Sequence, residues 1–288
     1  MTTLITGATG GLGKQLALLC AAHDEDLLIT ARNADELAEL KADLEKEFHV
    51  RVTAVSVDLG DPNAADDLFR FTQEKHLQID TLINNAGFGD YSAFLDMPAG
   101  KVTSMINVNM TAVALLCHRF GRAMRERAHG RILNIASVAS VMAGPYMAMY
   151  YATKAFVSSL GQALAVELRG SGVTVTTVCP GPISTGFEQH AQMRGKNFFT
   201  MAKPATPQAA ARFAYAKMQA GTALSYQGAF AKVVAQGVRF IPRMLAARLA
   251  ANANGGDPAA QQVPETAQET APKTEAQIPA PAPQPAQA

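Results

Sequence analysis

Residues Thr2–Ala21, TTLITGATGGLGKQLALLCA, decide the fold. The run TTLIT is apolar and β-branched and stops at Thr6; GATGGLG follows, with glycines at 7, 11 and 13; then Leu12, Leu16 and Leu19 recur at helical spacing. A strand, a glycine-rich turn and an amphipathic helix in that order suit a phosphate group. The glycines allow the tight turn and let backbone N–H groups at the positive end of the helix approach a pyrophosphate.

Outward from this unit the alternation continues. Apolar runs predict strands at Thr2–Thr6, Leu27–Ala31, Arg51–Val57, Thr81–Asn84, Arg131–Ala136 and Val173–Cys179. Most are continuous rather than alternating in apolarity, as in strands buried on both faces. Helical periods predict Leu12–Ala22, Ala34–Phe48, Pro62–Lys75, Val102–Arg127 and Met149–Arg169. Strands alternating with helices imply right-handed βαβ units. The fold class is therefore α/β: a Rossmann-type doubly wound parallel sheet in a single domain, with ligands at the carboxyl ends of the strands.

The 288 residues are 48% hydrophobic and 17% charged, enough to bury a sizeable core. The folded domain is expected over residues 1–251, with a helical extension over about 205–251. From Asn252 to Ala288 the chain is nearly all Ala, Pro, Gln, Thr and Glu, with no aromatic residue. Such a segment buries too little apolar surface to offset its chain entropy, and residues 252–288 are expected to be a disordered tail. Cys20, Cys117 and Cys179 are isolated, so neither a disulfide framework nor a metal site is expected. The start, MTTLIT, has no basic and apolar leader, and no uncharged apolar run reaches membrane-spanning length. A cytoplasmic location is expected, and no nucleic-acid partner.

Three further segments follow the glycine turn in order: NNAG at Asn84–Gly87, Ser137 just past the fifth strand, and YxxxK at Tyr150–Lys154. Tyr150 and Lys154, four apart on a predicted helix, share one face. A phenol with a pKa near ~10 is a poor base at neutral pH, but a neighbouring ammonium stabilises phenolate and lowers that value. Tyr151, three residues from Lys154, also satisfies the spacing. With GxxxGxG at the first turn and CPGPIST at Cys179–Thr185, these motifs resemble the short-chain dehydrogenase/reductase family over about residues 2–187.

That resemblance implies an oxidoreductase interconverting a carbonyl and a secondary alcohol by hydride transfer. It selects Tyr150 as the acid/base, Ser137 as the hydrogen-bond partner of the substrate carbonyl, and Lys154 as partner of both the phenol and the nicotinamide ribose. Asn109 in INVN matches the family's fourth member, which holds a water-linked proton path; Asn107 competes with it and is read as a helix-face residue. Gly7, Thr9, Gly11, Leu12 and Gly13 would surround the cofactor pyrophosphate, and Asp58 and Leu59 the adenine. Asn85, Ala86 and Gly87 would line the cleft, with Pro180, Gly181, Ile183 and Thr185 at the nicotinamide end. Family members usually assemble through their long central helices, so a homo-oligomer is expected.

Cofactor choice is read at the end of the second strand. Where NAD-binding members place a carboxylate, this chain has Ala31 followed by Arg32. A guanidinium without a carboxylate neighbour suits the 2′-phosphate of NADP, so NADP(H) is expected and NAD is possible. A surface Arg neutralised by Asp35 or Glu36 is the alternative, and Gly10 stands where many NADP-binding relatives have a second basic residue. Phe187, Met193, Phe198, Phe199 and Met201, with Met142, Tyr146 and Met147, supply apolar surface for a small apolar substrate or for packing. A non-catalytic NADP(H)-binding sensor is the alternative function, against which the complete Ser, Tyr and Lys set speaks.

Residues 189–256 hold nine basic side chains and no Asp or Glu. Within them Phe230, Val233, Val234, Gly237, Ile241, Met244, Leu245 and Leu249 recur at spacings of three and four, beside Lys232, Arg239, Arg243 and Arg248. An apolar helix face is what a terminal element docked on the parent fold needs, and docking is the expectation here. The alternative is peripheral contact with an anionic membrane, which gives a third functional reading, a membrane-surface reductase of a lipid or acyl thioester.

Overall fold

A computed structural model describes residues 1–187, 191 and 204–256. Seven strands form one sheet: β1 (Thr2–Thr6), β2 (Asp26–Ala31), β3 (Val52–Ser56), β4 (Thr81–Asn84), β5 (Gly130–Ile135), β6 (Val173–Pro180) and β7 (Leu224–Gln227). Their spatial order is β3-β2-β1-β4-β5-β6-β7, every pair parallel. The chain winds outward from β1 in one direction and then in the other, so a crevice opens at the carboxyl ends of β1 and β4.

Neighbouring residues of a strand point to opposite faces, and both faces are covered. Ile5, Ile29 and Ile83 pack on one side against α1 (Gly11–Ala21), α2 (Ala34–Phe48) and α7 (Pro207–Gln219). Leu4, Leu28 and Leu82 pack on the other against α3 (Ala64–Glu74), α5 (Ala112–Glu126) and α6 (Ala148–Glu167). This double burial is why the strands read as unbroken apolar runs. Helix α6 lies very close on β6: a Cβ at Gly161 would fall 2.0 Å from Thr177 Oγ1. The two residues of α6 that face the strand ends are thereby held against the sheet.

The structure departs from the sequence expectations in four places. The helix expected over Val102–Arg127 is two helices, α4 (Ala99–Ile106) and α5, joined by a π-helical turn at Asn107–Thr111. Strand β7 was not anticipated, because its four residues, LSYQ, carry no apolar run. The chain is ordered beyond residue 251: α9 (Arg243–Ala253) leads to Asn254, which is 1% exposed and donates through Nδ2 to Pro145 O at 2.9 Å. Two satisfied hydrogen bonds at one side chain outweigh the low apolar content there, and residues 257–288 lie outside the described ones. Finally, α8 (Gly228–Gly237) and α9 turn their alanines inward, burying Ala231, Ala235, Ala246, Ala247 and Ala250, and leave their large apolar residues exposed. Alanine lets a helix approach its support closely, and the expected inward face of Val233, Met244, Leu245 and Leu249 points the other way.

Helix α7, capped at its start by Thr206 Oγ1 accepting from Ala209 N at 3.2 Å, is pinned across the sheet by a buried carboxylate. Glu25 accepts from Tyr215 Oη at 2.7 Å and from the Thr3 hydroxyl. Replacing Tyr215→Phe removes one donor from that carboxylate and should cost about 1–3 kcal/mol. A lower urea midpoint at unchanged slope would show it; an unchanged midpoint would contradict it.

Candidate active site

The cleft begins at the first turn. Gly7 has φ +64°, and a Cβ there would lie 2.9 Å from Ala86 Cα; a Cβ at Gly13 would lie 2.1 Å from Gly7 O. Only glycine fits either place. The turn is braced from below, where Thr6 Oγ1 accepts from Asn85 N and Ala86 N, each at 3.1 Å, and Asn85 Nδ2 donates to the Thr6 and Gly7 carbonyls, each at 3.0 Å. Gly10 begins α1 without a side-chain cap. The unpaired N–H groups of that first turn are left for an anion.

From this turn a cleft of about 1040 Å³ runs past the ends of β2 and β3 to the start of α6. Every residue given a cofactor role by the sequence lines it: the glycine turn with Thr9 and Leu12, then Arg32, Asp58 and Leu59, then Asn85, Ala86 and Gly87, and at the far end Pro180, Gly181, Ile183 and Thr185 beside Tyr150 and Lys154. Arg32 is exposed and, among the described residues, makes no ion pair with Asp35 or Glu36. Glu36 instead accepts from Asn33 Nδ2 at 2.9 Å, while Asn33 caps α2. Asp58 accepts from Gly60 N at 2.9 Å, which fixes the turn after β3.

At the far end, Ser137 leaves β5 in extended conformation and accepts from Ala139 N at 3.1 Å, so its hydroxyl is oriented by the short 3₁₀ turn that follows. Tyr150 and Lys154 project from the first turns of α6, with Lys154 Nζ 5.9 Å from the Tyr150 ring centroid. Lys154 is 6% exposed and donates to Ile135 O at 2.9 Å. Burial pushes its pKa down to about 8 and pushes the Tyr150 phenol up to about 12, the neighbouring Ser137 hydroxyl pulling the latter the other way. The sequence led us to expect a lysine-lowered phenol. At this site desolvation is the larger effect on both groups.

Asn109 lies one layer behind, in the π turn. Its Oδ1 accepts from Phe88 N at 3.1 Å and its Nδ2 donates to Phe88 O at 2.9 Å and to Thr153 Oγ1 at 3.1 Å. A Cβ at Gly87 would lie 3.2 Å from Asn109 Oδ1 and 3.3 Å from Lys154 Nζ, so the two side chains flank one small gap. Asn107 turns away and donates to Gly60 O at 2.8 Å.

Tyr151 is also taken elsewhere: its hydroxyl donates to Asn254 Oδ1 at 2.9 Å. This end of the cleft is walled by Phe187, whose ring lies 5.0 Å from that of Tyr150, and by Met147. Tyr146 packs in the same cluster, Met142 does not line the cleft, and Met193, Phe198, Phe199 and Met201 lie outside the described residues. Asn254, which the sequence did not single out, also lines this end, and nearby Tyr91 Oη donates to Gly256 O at 2.7 Å. Nothing local marks Asn254, since its partners are more than 100 residues away in the chain.

A parallel sheet with a glycine-turn cleft at its reversal and a Ser, Tyr and Lys at the cleft's end defines a dinucleotide-type oxidoreductase. Residues 1–194 match the short chain dehydrogenase family, and the chain belongs to it. It is 32% identical over 185 residues to the L-rhamnose 1-dehydrogenase (NAD(P)(+)) of a Sphingomonas species, covering 64% of this chain and 73% of that one. It is 33% identical over 187 residues to the 3-oxoacyl-[acyl-carrier-protein] reductase of a Synechocystis species, covering 65% and 76%. Among solved structures, a short-chain dehydrogenase from Sphingobium yanoikuyae in complex with NADPH superposes with a TM-score of 0.73 at 29% identity, over 83% of this chain and 93% of that one.

The raised phenol is directly measurable. A free tyrosine is half ionised near pH ~10, whereas Tyr150 is held to about 12. At pH 10 the ultraviolet phenolate absorbance of the cofactor-free protein should be the same in wild type and Tyr150→Phe; a deficit in the variant would show that burial does not dominate.

Proposed function

We propose that the chain is an NADP(H)-dependent oxidoreductase interconverting a ketone and a secondary alcohol on an apolar substrate, with Tyr150 as the acid/base. The observation that carries this reading is the meeting of Ser137, Tyr150 and Lys154 at the apolar end of a cleft whose other end is an uncapped helix start, with Lys154 Nζ 5.9 Å from the Tyr150 ring centroid.

The bound cofactor supplies or takes up the hydride. The chain's own residues handle the proton and the positions. Ser137 and Tyr150 would both hydrogen-bond the substrate oxygen, and Tyr150, neutral well above neutral pH, is charged with the proton that this oxygen needs as the carbon is reduced. Lys154 stabilises the phenolate left behind, while Asn109 holds the Phe88 backbone and Thr153 and thereby sets the floor beside Lys154. Phe187 and Met147 exclude water from the reacting end.

Arg32 favours NADP(H). It is exposed on the cleft at the end of β2 without an acidic partner among the described residues, which leaves its guanidinium for a 2′-phosphate. The relatives allow this choice without deciding it, since one is named for both cofactors and the other was solved with NADPH. A sensor without turnover has no need of a buried lysine against a phenol, and burying an ammonium is costly.

Two measurements test the reading. Tyr150→Phe should lower turnover on a reducible ketone by about 10²–10⁴-fold while NADPH still binds, and Tyr151→Phe should do far less; equal losses would remove the assignment. Arg32→Ala should weaken NADPH binding about ten- to a hundredfold and leave NADH nearly unchanged, as for loss of a charge-assisted bond. A wild-type protein that prefers NADH would overturn the cofactor choice.

A further inference from the structure

We propose that α8, the short 3₁₀ turn after it and α9 form a docking face for an anionic lipid surface. Two observations converge on these 26 residues, Gly228–Ala253. The first is an inverted amphipathic pattern. The small residues face the protein, while Phe240 is 87% exposed, Met244 71%, Val233 70%, Leu249 52% and Leu245 47%. On α9, Leu245 and Leu249 stand four apart, as do Met244 and Arg248, so these side chains share the outer face.

The second observation is charge. Lys232, Arg239, Arg243 and Arg248 are exposed among these apolar residues, and no acidic side chain occurs anywhere in the described stretch 204–256. Exposed large apolar groups in a basic surround match the acyl boundary and headgroups of an anionic bilayer. No helix of the described residues is long and apolar enough to cross a membrane.

Charge also argues against other occupants. A second copy brought face to face would oppose the same four cations to one another. Residues 257–288 carry Asp257, Glu265, Glu269 and Glu275 against Lys273 and could neutralise the face, but they hold no aromatic side chain to cover Phe240. The docking proposal does not depend on the reaction assigned above. It does place lipid beside the cleft, because Leu249 is about 7.5 Å along the helix from Asn254 at ~1.5 Å per residue, and Asn254 lines the substrate end.

Cosedimentation of the full-length protein with vesicles tests this. Vesicles of phosphatidylcholine with phosphatidylglycerol should pellet the protein at low salt, and phosphatidylcholine alone should pellet much less. The double variant Arg239→Gln/Arg243→Gln should lower partitioning about thirtyfold, taking ~1 kcal/mol per cation near the surface, and the difference should shrink in ~1 M salt. Phe240→Ser/Met244→Ser should lower it at both salt concentrations, with circular dichroism unchanged because both side chains are exposed. Partitioning equal for wild type and both variants would overturn the proposal. So would binding that appears only after residues 257–288 are removed, or a dimer that Phe240→Ser dissociates; these assign the face to the tail or to a second copy.

Discussion

The site depends on a lysine taken out of water. An ammonium loses several kcal/mol of hydration on burial unless its donors are satisfied, and Lys154 is provided with Ile135 O at the end of β5 and the face of the Tyr150 ring. Both partners exist because α6 lies hard against the sheet, which in turn requires Gly161 opposite Thr177. The same burial sets the resting state of the pair. It pushes the phenol up to about 12 and the ammonium down to about 8.

The two ends of the cleft are built by different means. At the phosphate end, shape is made by what is missing: no side chains at Gly7 and Gly13, no cap on α1. At the other end it is made by bulk, with Phe187, Met147 and Tyr150 in one apolar cluster and Tyr151 hydrogen-bonded to Asn254. Asn254 arrives from the end of α9, beyond residues 1–194 matched by the family, so this end of the cleft is closed in part from outside the matched segment.

How much of this could be read from the sequence follows from how local each feature is. The first six strands were legible because burial on both faces leaves unbroken apolar runs, and the five motifs because each is a short pattern with its own chemistry. Strand β7 was not, since an edge position next to β6 asks only for backbone pairing. Asn254 was invisible for a related reason: its identity is set by Pro145 and Tyr151 across a long loop of chain. The stripe on α8 and α9 was visible as a periodicity, but a period does not say which side faces in. Alanine decided that by packing closer than leucine can. The phenol's acidity was misjudged because spacing reports a charged neighbour and not the loss of water.

The π turn at Asn107–Thr111 closes hydrogen bonds five residues apart where the helices on either side close them four apart. One supernumerary residue in a helix amounts to a phase shift of roughly 100° at 3.6 residues per turn. Upstream of it α4 meets α6; downstream α5 packs on α3. The interruption works as a coupling between two shafts set at different angles, one keyed to the reacting helix and one to the outer layer. Asn109 sits in the coupling itself, where Phe88 and Thr153 hold its side chain beside Lys154.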